Sequence, residues 1–473
     1  MRWTLDRPES ALPRSFVWTW DHSTNWVLDD EGLLNFGCVN RYMKRPETFI
    51  EDYRRLTDFA AGIGVRNIII WGFLRDSHGG VDAAKRVADY AASKGCAIWP
   101  GAGLTWYGGP YYEGDHPYNI ETFLREHPEA RMQAKIMGGP ADPNLPGNHG
   151  ACPSHPAFID WLREGLAWLF REFNIGGVNM ENGDFLVCQC PRCQEHKARW
   201  PSGDADFFRM QAMAYVPAVE ALKQVLPNKD LTWATYSRFS FGHPNQHSDP
   251  QWPELPKEPP ELVRRIDPRS IAQWTITGMV RKNALPLTAY LDDGAPAAAF
   301  ANPFWPADVR PPTPRSTGFL HQASQWTPYR TSGRYRQIVS TIKEACLCGQ
   351  RGGLEGIGIH GEVTSRCIPW ALNYLAFSHF SHWPTDTLRE FGRKTLGQVL
   401  GHEDEGERFV EIMANWDAGT LTDDHKADAR KTARELEISV SAGRRKDLDR
   451  LRFWMWLERM TSGASEPHNA SFY

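Results

Sequence analysis

The sequence predicts an α/β fold whose parallel strands close into a (β/α)8 TIM barrel, with long loop insertions and a C-terminal helical extension. Three observations predict it. Apolar, β-prone runs alternate with helix-period segments up to about residue 360, the rhythm of parallel strands joined by right-handed crossovers. Several of these runs end in polar or acidic side chains beside glycine, as barrel strands do at their upper rim. From residue 370 the pattern becomes wholly helical. At 473 residues the chain accommodates a barrel of about 250 residues together with insertions and an added helical region.

Residues 15–20 alternate β-formers and end at Asp21 and His22, the first strand. Residues 46–63 form a helix with Phe49, Tyr53, Leu56 and Ala60 on one face and Gly62 and Gly64 as its stop. The run RNIIIWGF, residues 66–73, is continuous enough for a strand buried on both sides, and Arg75, Asp76 and His78 follow it. A helix over 81–94 and a third strand over 96–101 lead into an irregular insertion at 104–150. Pro156 opens a helix striped with Phe158, Trp161, Leu162, Leu169 and Phe173, which delivers the chain into strand four, ending at Glu181. Helices over 206–225 and 260–266 alternate with strands over 231–236 and 271–277. A Pro- and Ala-rich loop over 283–317 carries Asp292, Asp293 and Trp305. Residues 318–322 are the seventh strand, 333–348 a helix and 356–360 the eighth strand. Beyond it lie helices over 370–379, 387–400, 405–415 and 426–460, and a frayed tail over 462–473. Thr387 and Glu390 form a capping box. The domains are thus a barrel over 1–369 and a helical region over 370–473.

A net charge of −4 offers no basic field for nucleic acid or an anionic membrane. The start, MRWTLDRPES, has no apolar h-region, and no run of about 18 apolar residues occurs. The chain as written reads as soluble and cytoplasmic, with export requiring a signal outside this sequence; a homo-oligomer is compatible with the composition. Nine cysteines, an odd number, suit a reducing compartment better than a complete disulfide framework. Of the 20 tryptophans, many stand beside Gly, Pro, Asp or His. Trp20, Trp71, Trp106, Trp305 and Trp326, with Tyr107, Tyr111 and Tyr112, put flat aromatic faces where sugar rings could stack.

Glu181, followed by Asn182, Gly183 and Asp184, and Glu362, preceded by His360 and Gly361, both stand at strand ends. Parallel strands bring all their C-termini to one rim, so two distant carboxylates can converge there. A carboxylate pair is what glycoside hydrolysis requires, one donating a proton to the leaving oxygen and the other attacking or activating water. Asp184 joins Glu181 only if the chain turns at Gly183. Asn179, Trp20, Asp21, His22, Trp71, Arg75, Trp106, Tyr107, Arg238, His321 and His360 are candidates for contacting sugar. Two rivals are a metal-dependent sugar isomerase or lyase using His22, Glu181, Asp184 and His360, and a non-catalytic carbohydrate-binding barrel.

Cys188, Cys190, Cys193 and His196, with Cys152 as a further member, have zinc-ligand chemistry. Their C-x-C-x-x-C spacing is not a standard zinc pair, and no distant second C-x-x-C exists. Reduced thiols shaping the loop beside Glu181 are the expected use, and no metal or other cofactor is expected. Cys346 and Cys348 read as structural. Residues 356–361 match G-x-G-x-x-G by letter, but no helix opens after them, which argues against dinucleotide binding.

On these residues the chain resembles (β/α)8-barrel glycoside hydrolases, most like the poorly characterised bacterial barrels related to endo-β-N-acetylglucosaminidases that carry a C-x-C-x-x-C cluster after strand four. The resemblance rests on Cys152-Pro-Ser-His-Pro, on Glu181 to Asp184 with the three cysteines after it, and on Gly361-Glu362-Val363 followed by residues 370–377; it covers about residues 60–400. It implies general acid/base work for Glu181 and a nucleophile or second acid/base role for Glu362. Two departures stand out: Met180 separates Asn179 from Glu181 where such families place the two side by side, and Glu362 falls on strand eight instead of seven. A mechanism assisted by a substrate N-acetyl group, using Asp184 with Glu181, is left open.

Overall fold

A computed structural model describes residues 3–24, 26–27, 44–105, 108–135, 150–181, 187–198, 219–220, 222–235, 267–276, 280, 284–296, 315–320 and 337–463. Among these, eight parallel strands close into a barrel: β1 (Phe16–Trp20), β2 (Asn67–Trp71), β3 (Ala97–Gly103), β4 (Gly177–Glu181), β5 (Asp230–Thr235), β6 (Ile271–Thr275), β7 (Ser316–Leu320) and β8 (Gly356–His360). Each strand pairs with its sequence neighbours, and β8 closes on β1 with Phe16 opposite Gly358 and Trp18 opposite His360. The expected order and count hold, and Glu362 does follow the eighth strand. The seventh strand begins at Ser316, two residues before the expected start. Thr317 pairs with both Gln273 and Gly356, so ladder partners extend a strand whose flank looked like loop.

Alternate residues on each strand face the lumen. Phe16, Trp18, Trp20, Ile69, Trp71, Trp99, Ile271 and Phe319 form one buried cluster there, distinct from the larger core under the helices. An eight-stranded barrel is filled by side chains, and bulky ones need small neighbours. A Cβ at Gly101 would enter the Trp71 ring, one at Gly177 the Trp99 ring and one at Gly358 the Phe16 ring. The glycine pattern at 356–361 therefore belongs to lumen packing. Below this cluster, Arg14 and Arg315 both pair with Asp230 and Glu355 at N···O distances of 2.5–2.9 Å and tie the starts of β5, β7 and β8 together.

Outside the barrel run α1 (Pro46–Gly62), α2 (Gly80–Ser93), α3 (Ile120–Glu126), α4 (Pro156–Glu172), α5 (Pro191–Ala198), α6 (Val339–Arg351) and α7 (Ile368–His382). Helix α1 buries Phe49, Tyr53, Leu56 and Ala60, the stripe read from sequence, and α4 buries Phe158, Trp161, Leu162 and Leu169. The 104–150 segment is less irregular than expected, because Asn119 caps α3 by accepting the Glu121 N–H at 2.9 Å. Helix α7 spans the expected 369/370 boundary. It occupies the place of the barrel's eighth helix, packs on α6 and is buried along its whole length. Cys346 and Cys348 are buried in α6.

Thr387 and Glu390 make the expected capping box, from which the chain continues through α8 (Leu388–Phe391), a π turn (Gly392–Leu396) and α9 (Gly397–Leu400). Helices α10 (Glu403–Asp417), α11 (Asp423–Ser441) and α12 (Leu448–Thr461) follow. The single helix expected over 426–460 breaks after Ser441, where Gly443 takes φ +92°. Asp292, in the expected 283–317 loop, pairs with Arg389 at 2.8 Å and joins that loop to the helical region. Among the described residues no helix is long and apolar enough to cross a membrane.

His379 of α7 is buried, with Nδ1 2.9 Å from Thr395 Oγ1 and Nε2 3.3 Å from Asp386 Oδ2. Burial outweighs the pull of Asp386 and lowers its pKa from 6.5 to about 4. As pH falls through that window the unfolded chain takes the proton first, so the fold loses stability, by up to about 3 kcal/mol. Urea unfolding at about pH 7.5 and about pH 4.5 should show this loss in the wild type and a smaller one in His379→Asn; an equal loss in both would refute the assignment.

Candidate active site at the barrel rim

Strand β4 reads Gly-Val-Asn-Met-Glu, and its lumen-facing set is Gly177, Asn179 and Glu181. The intervening Val178 and Met180 belong to the core under the helices. This period of two explains Met180: a residue adjacent to Glu181 would point outward, so the lumen partner of Glu181 is Asn179. On β8 the lumen set is Gly358 and His360. The ladder continues past the strand through the Gly361 N–H to Trp18 O at 2.8 Å, which keeps Glu362 on the same side.

Glu362 Oε1 accepts the Trp20 N–H at 3.2 Å, and His360 Nδ1 lies 3.3 Å from Oε1 and 3.2 Å from Oε2. The His360 ring in turn meets Trp18 edge-on with centroids 4.9 Å apart. On the opposite side, Asn179 is wholly enclosed. It accepts the Trp71 indole N–H at 3.0 Å and donates to Thr232 Oγ1 at 2.6 Å and Gln273 Oε1 at 3.2 Å. Trp20 and Trp71 are in contact, with centroids 5.3 Å apart. One unbroken set of contacts, Glu362–Trp20–Trp71–Asn179, therefore runs beneath the rim from β8 to β4. Both carboxylates are enclosed, Glu181 at 3% exposure and Glu362 at 0%. Trp71, also at 0%, supports Asn179 with its indole and presents no open face.

At the end of β1, Asp21 is buried against Lys44, His78 and Arg75. Lys44 Nζ lies 3.3 Å from Oδ1, and His78 Nδ1 and Arg75 Nε lie 3.3 and 3.6 Å from Oδ2. Burial opposes the charge of Asp21, but Lys44, His78 and Arg75 prevail and hold its pKa well below the carboxylate range. Lys44 also pairs with Asp52 at 2.7 Å; burial works against its charge, and Asp52 and Asp21 raise its pKa despite that. Arg75 stacks over Tyr112 at 4.4 Å, pairs with Glu113 and places Nη2 3.4 Å from His22 Nδ1. Tyr112 meets the Trp20 ring edge-on at 5.9 Å and is half-buried, which makes Tyr112 and Arg75 the more open members of this corner.

Of the residues singled out in the sequence, Trp20, Asp21, His22, Trp71, Arg75, Asn179, Glu181, His360 and Glu362 all gather at this end of the barrel. Asp184, Trp106, Tyr107, Arg238 and His321 lie outside the described residues, as do Trp305, Trp326 and the side chain of His196. Lys44 and Asp52 were missed. The available signal was Asp52 itself, an acid between Phe49 and Tyr53 on the apolar face of α1. Among the described residues, the side chains whose ligand atoms converge as a metal would need are Cys152, Cys188, Cys190 and Cys193; His22, Glu181 and His360 do not form such a group.

No family model matches this chain, and no curated protein matches it. Solved structures do. An α-amylase from Geobacillus thermoleovorans in complex with acarbose aligns at 10% identity and TM-score 0.48, over 80% of each chain. The PgaB glycoside hydrolase domain from Bordetella bronchiseptica aligns at 13% identity and TM-score 0.46, over 76% of this chain and 98% of that one. An inactive mutant of an exo-β-N-acetylglucosaminidase from Vibrio harveyi aligns at 10% identity and TM-score 0.44, over 84% of this chain and 58% of that one.

The Asp21–Lys44–Asp52 group supports β1 only while the cation sits between the acids. Lys44→Met should cost about 3–5 kcal/mol, because it leaves buried carboxylates uncompensated. Lys94→Met, at an exposed ion pair with Asp58, should cost under about 1 kcal/mol. Chemical denaturation of the two variants checks this, and equal small losses would count against the buried network.

Proposed function

We propose that the chain is a glycoside hydrolase that uses Glu181 and Glu362 at the C-terminal rim of the barrel, with a carbohydrate as its substrate. The observation that carries this reading is the shared register: both carboxylates continue lumen-facing series at the C-terminal ends of β4 and β8, above a single connected floor of Trp20, Trp71, Asn179 and His360. Glu181 is the general acid/base, and Glu362, oriented by His360 and the Trp20 N–H, is the partner carboxylate. Two carboxyl groups flanking one bond are sufficient for hydrolysis of a glycoside. Asp184 is assigned the orienting role. Arg75 and Tyr112, with the edge of Trp20, form the corner best suited to a sugar ring and its hydroxyls, a flat face beside a fork of N–H donors.

The enclosure of both acids fits this chemistry, since charge interactions that stabilise an oxocarbenium-like transition state strengthen where water is excluded. A screen of aryl glycosides and N-acetylated oligosaccharides identifies the substrate. On it, Glu181→Gln and Glu362→Gln should each lower kcat by about a thousandfold or more while leaving the unfolding midpoint within a few degrees of wild type. Wild-type kcat in both variants would sink the assignment. Sugar binding by calorimetry without turnover of any glycoside would instead identify a binding protein.

A further inference from the structure

The cysteines that follow β4 form a group with Cys152 that neither the barrel nor the hydrolase reading requires. Cys152 precedes α4 and is held by its N–H to Ala130 O at 2.8 Å. Cys188 lies in a short strand antiparallel to Ala134–Lys135, with Ala134 opposite it and the Gln189 N–H on Gln133 O at 2.7 Å. Cys190 immediately precedes α5, and Cys193 is in its first turn. Two chain segments, one leading into α4 and one running from Cys188 into α5, thus meet at four sulfurs, which all lie within 4.8 Å of one another.

The spacing separates the alternatives. A disulfide needs its sulfurs about 2.05 Å apart, and all four cysteines here are free thiols. A tetrahedral zinc with Zn–S bonds of about 2.3 Å sets its sulfurs about 3.8 Å apart. Cys152 Sγ lies 3.5 Å from both Cys190 Sγ and Cys193 Sγ. The Cys193 N–H points at Cys190 Sγ at 3.4 Å, and Ser154 Oγ lies 3.1 Å from Cys193 Sγ, the kind of contact that steadies a thiolate. Cys152, Cys188 and Cys193 are buried and Cys190 is half-buried.

We propose that Cys152, Cys188, Cys190 and Cys193 bind one zinc ion in a closed tetrathiolate site. Four protein ligands leave no position for water or substrate, so the ion is structural. It joins the segment leading into α4 to the segment that returns after Glu181, on the side of the barrel where β4 ends. Sequence alone groups Cys152 with the C-x-C-x-x-C stretch but gives no distance between them, so reduced thiols are its expected use and the convergence of four sulfurs is visible only in the fold. The site stands apart from the hydrolase reading and requires no glycosidase activity for its test.

Full-length protein expressed with zinc in the medium and purified without chelator should contain about one zinc per chain, retained through dialysis. A mercurial thiol reagent should release it to a colorimetric indicator. Cobalt exchanged into the site should give the intense visible bands of a tetrahedral tetrathiolate. Cys152→Ser and Cys190→Ser should lose the metal, and Cys346→Ser, outside the quartet, should keep it. Wild-type protein with no bound metal, with iron in place of zinc, or with these thiols paired as disulfides by mass would overturn the proposal. So would unchanged zinc content in both quartet variants. Because wild-type metal content is read directly, misfolding of a variant leaves the test intact.

Discussion

The structure depends on how the barrel lumen is filled. Phe16, Trp18, Trp20, Trp71 and Trp99 occupy a space that eight strands enclose tightly, and they fit because Gly101, Gly177 and Gly358 withhold side chains where the Trp71, Trp99 and Phe16 rings lie. This complementarity fixes register. Sliding β1, β2 or β3 by one residue would drive a tryptophan into the helical layer and a helix-facing aliphatic into the lumen. The inward aim of Glu181 and Glu362 follows from it, since each stands an even number of residues from a glycine that must face inward.

Polarity rises along the lumen toward the rim. Phe16, Ile271 and Phe319 form its apolar floor; Asn179, Thr232, Gln273 and His360 come next, and Glu181, Glu362 and Asp21 lie above them. Groups around the lumen hold these side chains: Asn179 bonds Thr232, Gln273 and Trp71, and Glu362 meets His360 Nδ1 and the Trp20 N–H. Buried polar groups of this kind are tolerable only as a connected network, which also makes them rigid. Asp21 extends the pattern: Lys44, His78 and Arg75 around it hold its carboxyl in the charged form, against burial, at the point where β1 leaves the lumen.

Much of this was legible in the sequence because strand ends and lumen faces are local properties. The run at residues 66–73 and the glycine–glutamate pairings after β4 and β8 carry their own signals, and the rim residues found together were those nearest a strand terminus. What was not legible depends on distant partners. The start of β7 at Ser316 needed Gln273 and Gly356 to define it. The place of α7 in the barrel layer needed α6, since its all-round hydrophobicity reads equally as an appended helix. Trp71 and Asn179 looked like surface candidates because sequence gives the end of a strand but not the depth at which a ring lies. Lys44 gave no signal of its own, and its role exists only because Asp21 and Asp52 converge on it.

Strand-borne and loop-borne side chains differ in what can hold them. The ladder and the tryptophan packing orient Glu181 up to its own backbone, where Leu104 N–H still bonds Glu181 O at 2.9 Å. The next described residues, Val187 and Cys188, pair with Lys135 and Ala134 and not with a barrel strand. The cysteine quartet includes Cys188, seven residues after Glu181, and brings it beside Cys152, which stands just before α4. Metal–thiolate bonds are strong enough to fix a short loop without a hydrophobic core of its own. A metal there would do for the chain beyond β4 what tryptophan packing does for the strand itself, so that both ends of the segment next to the acid are held to one frame.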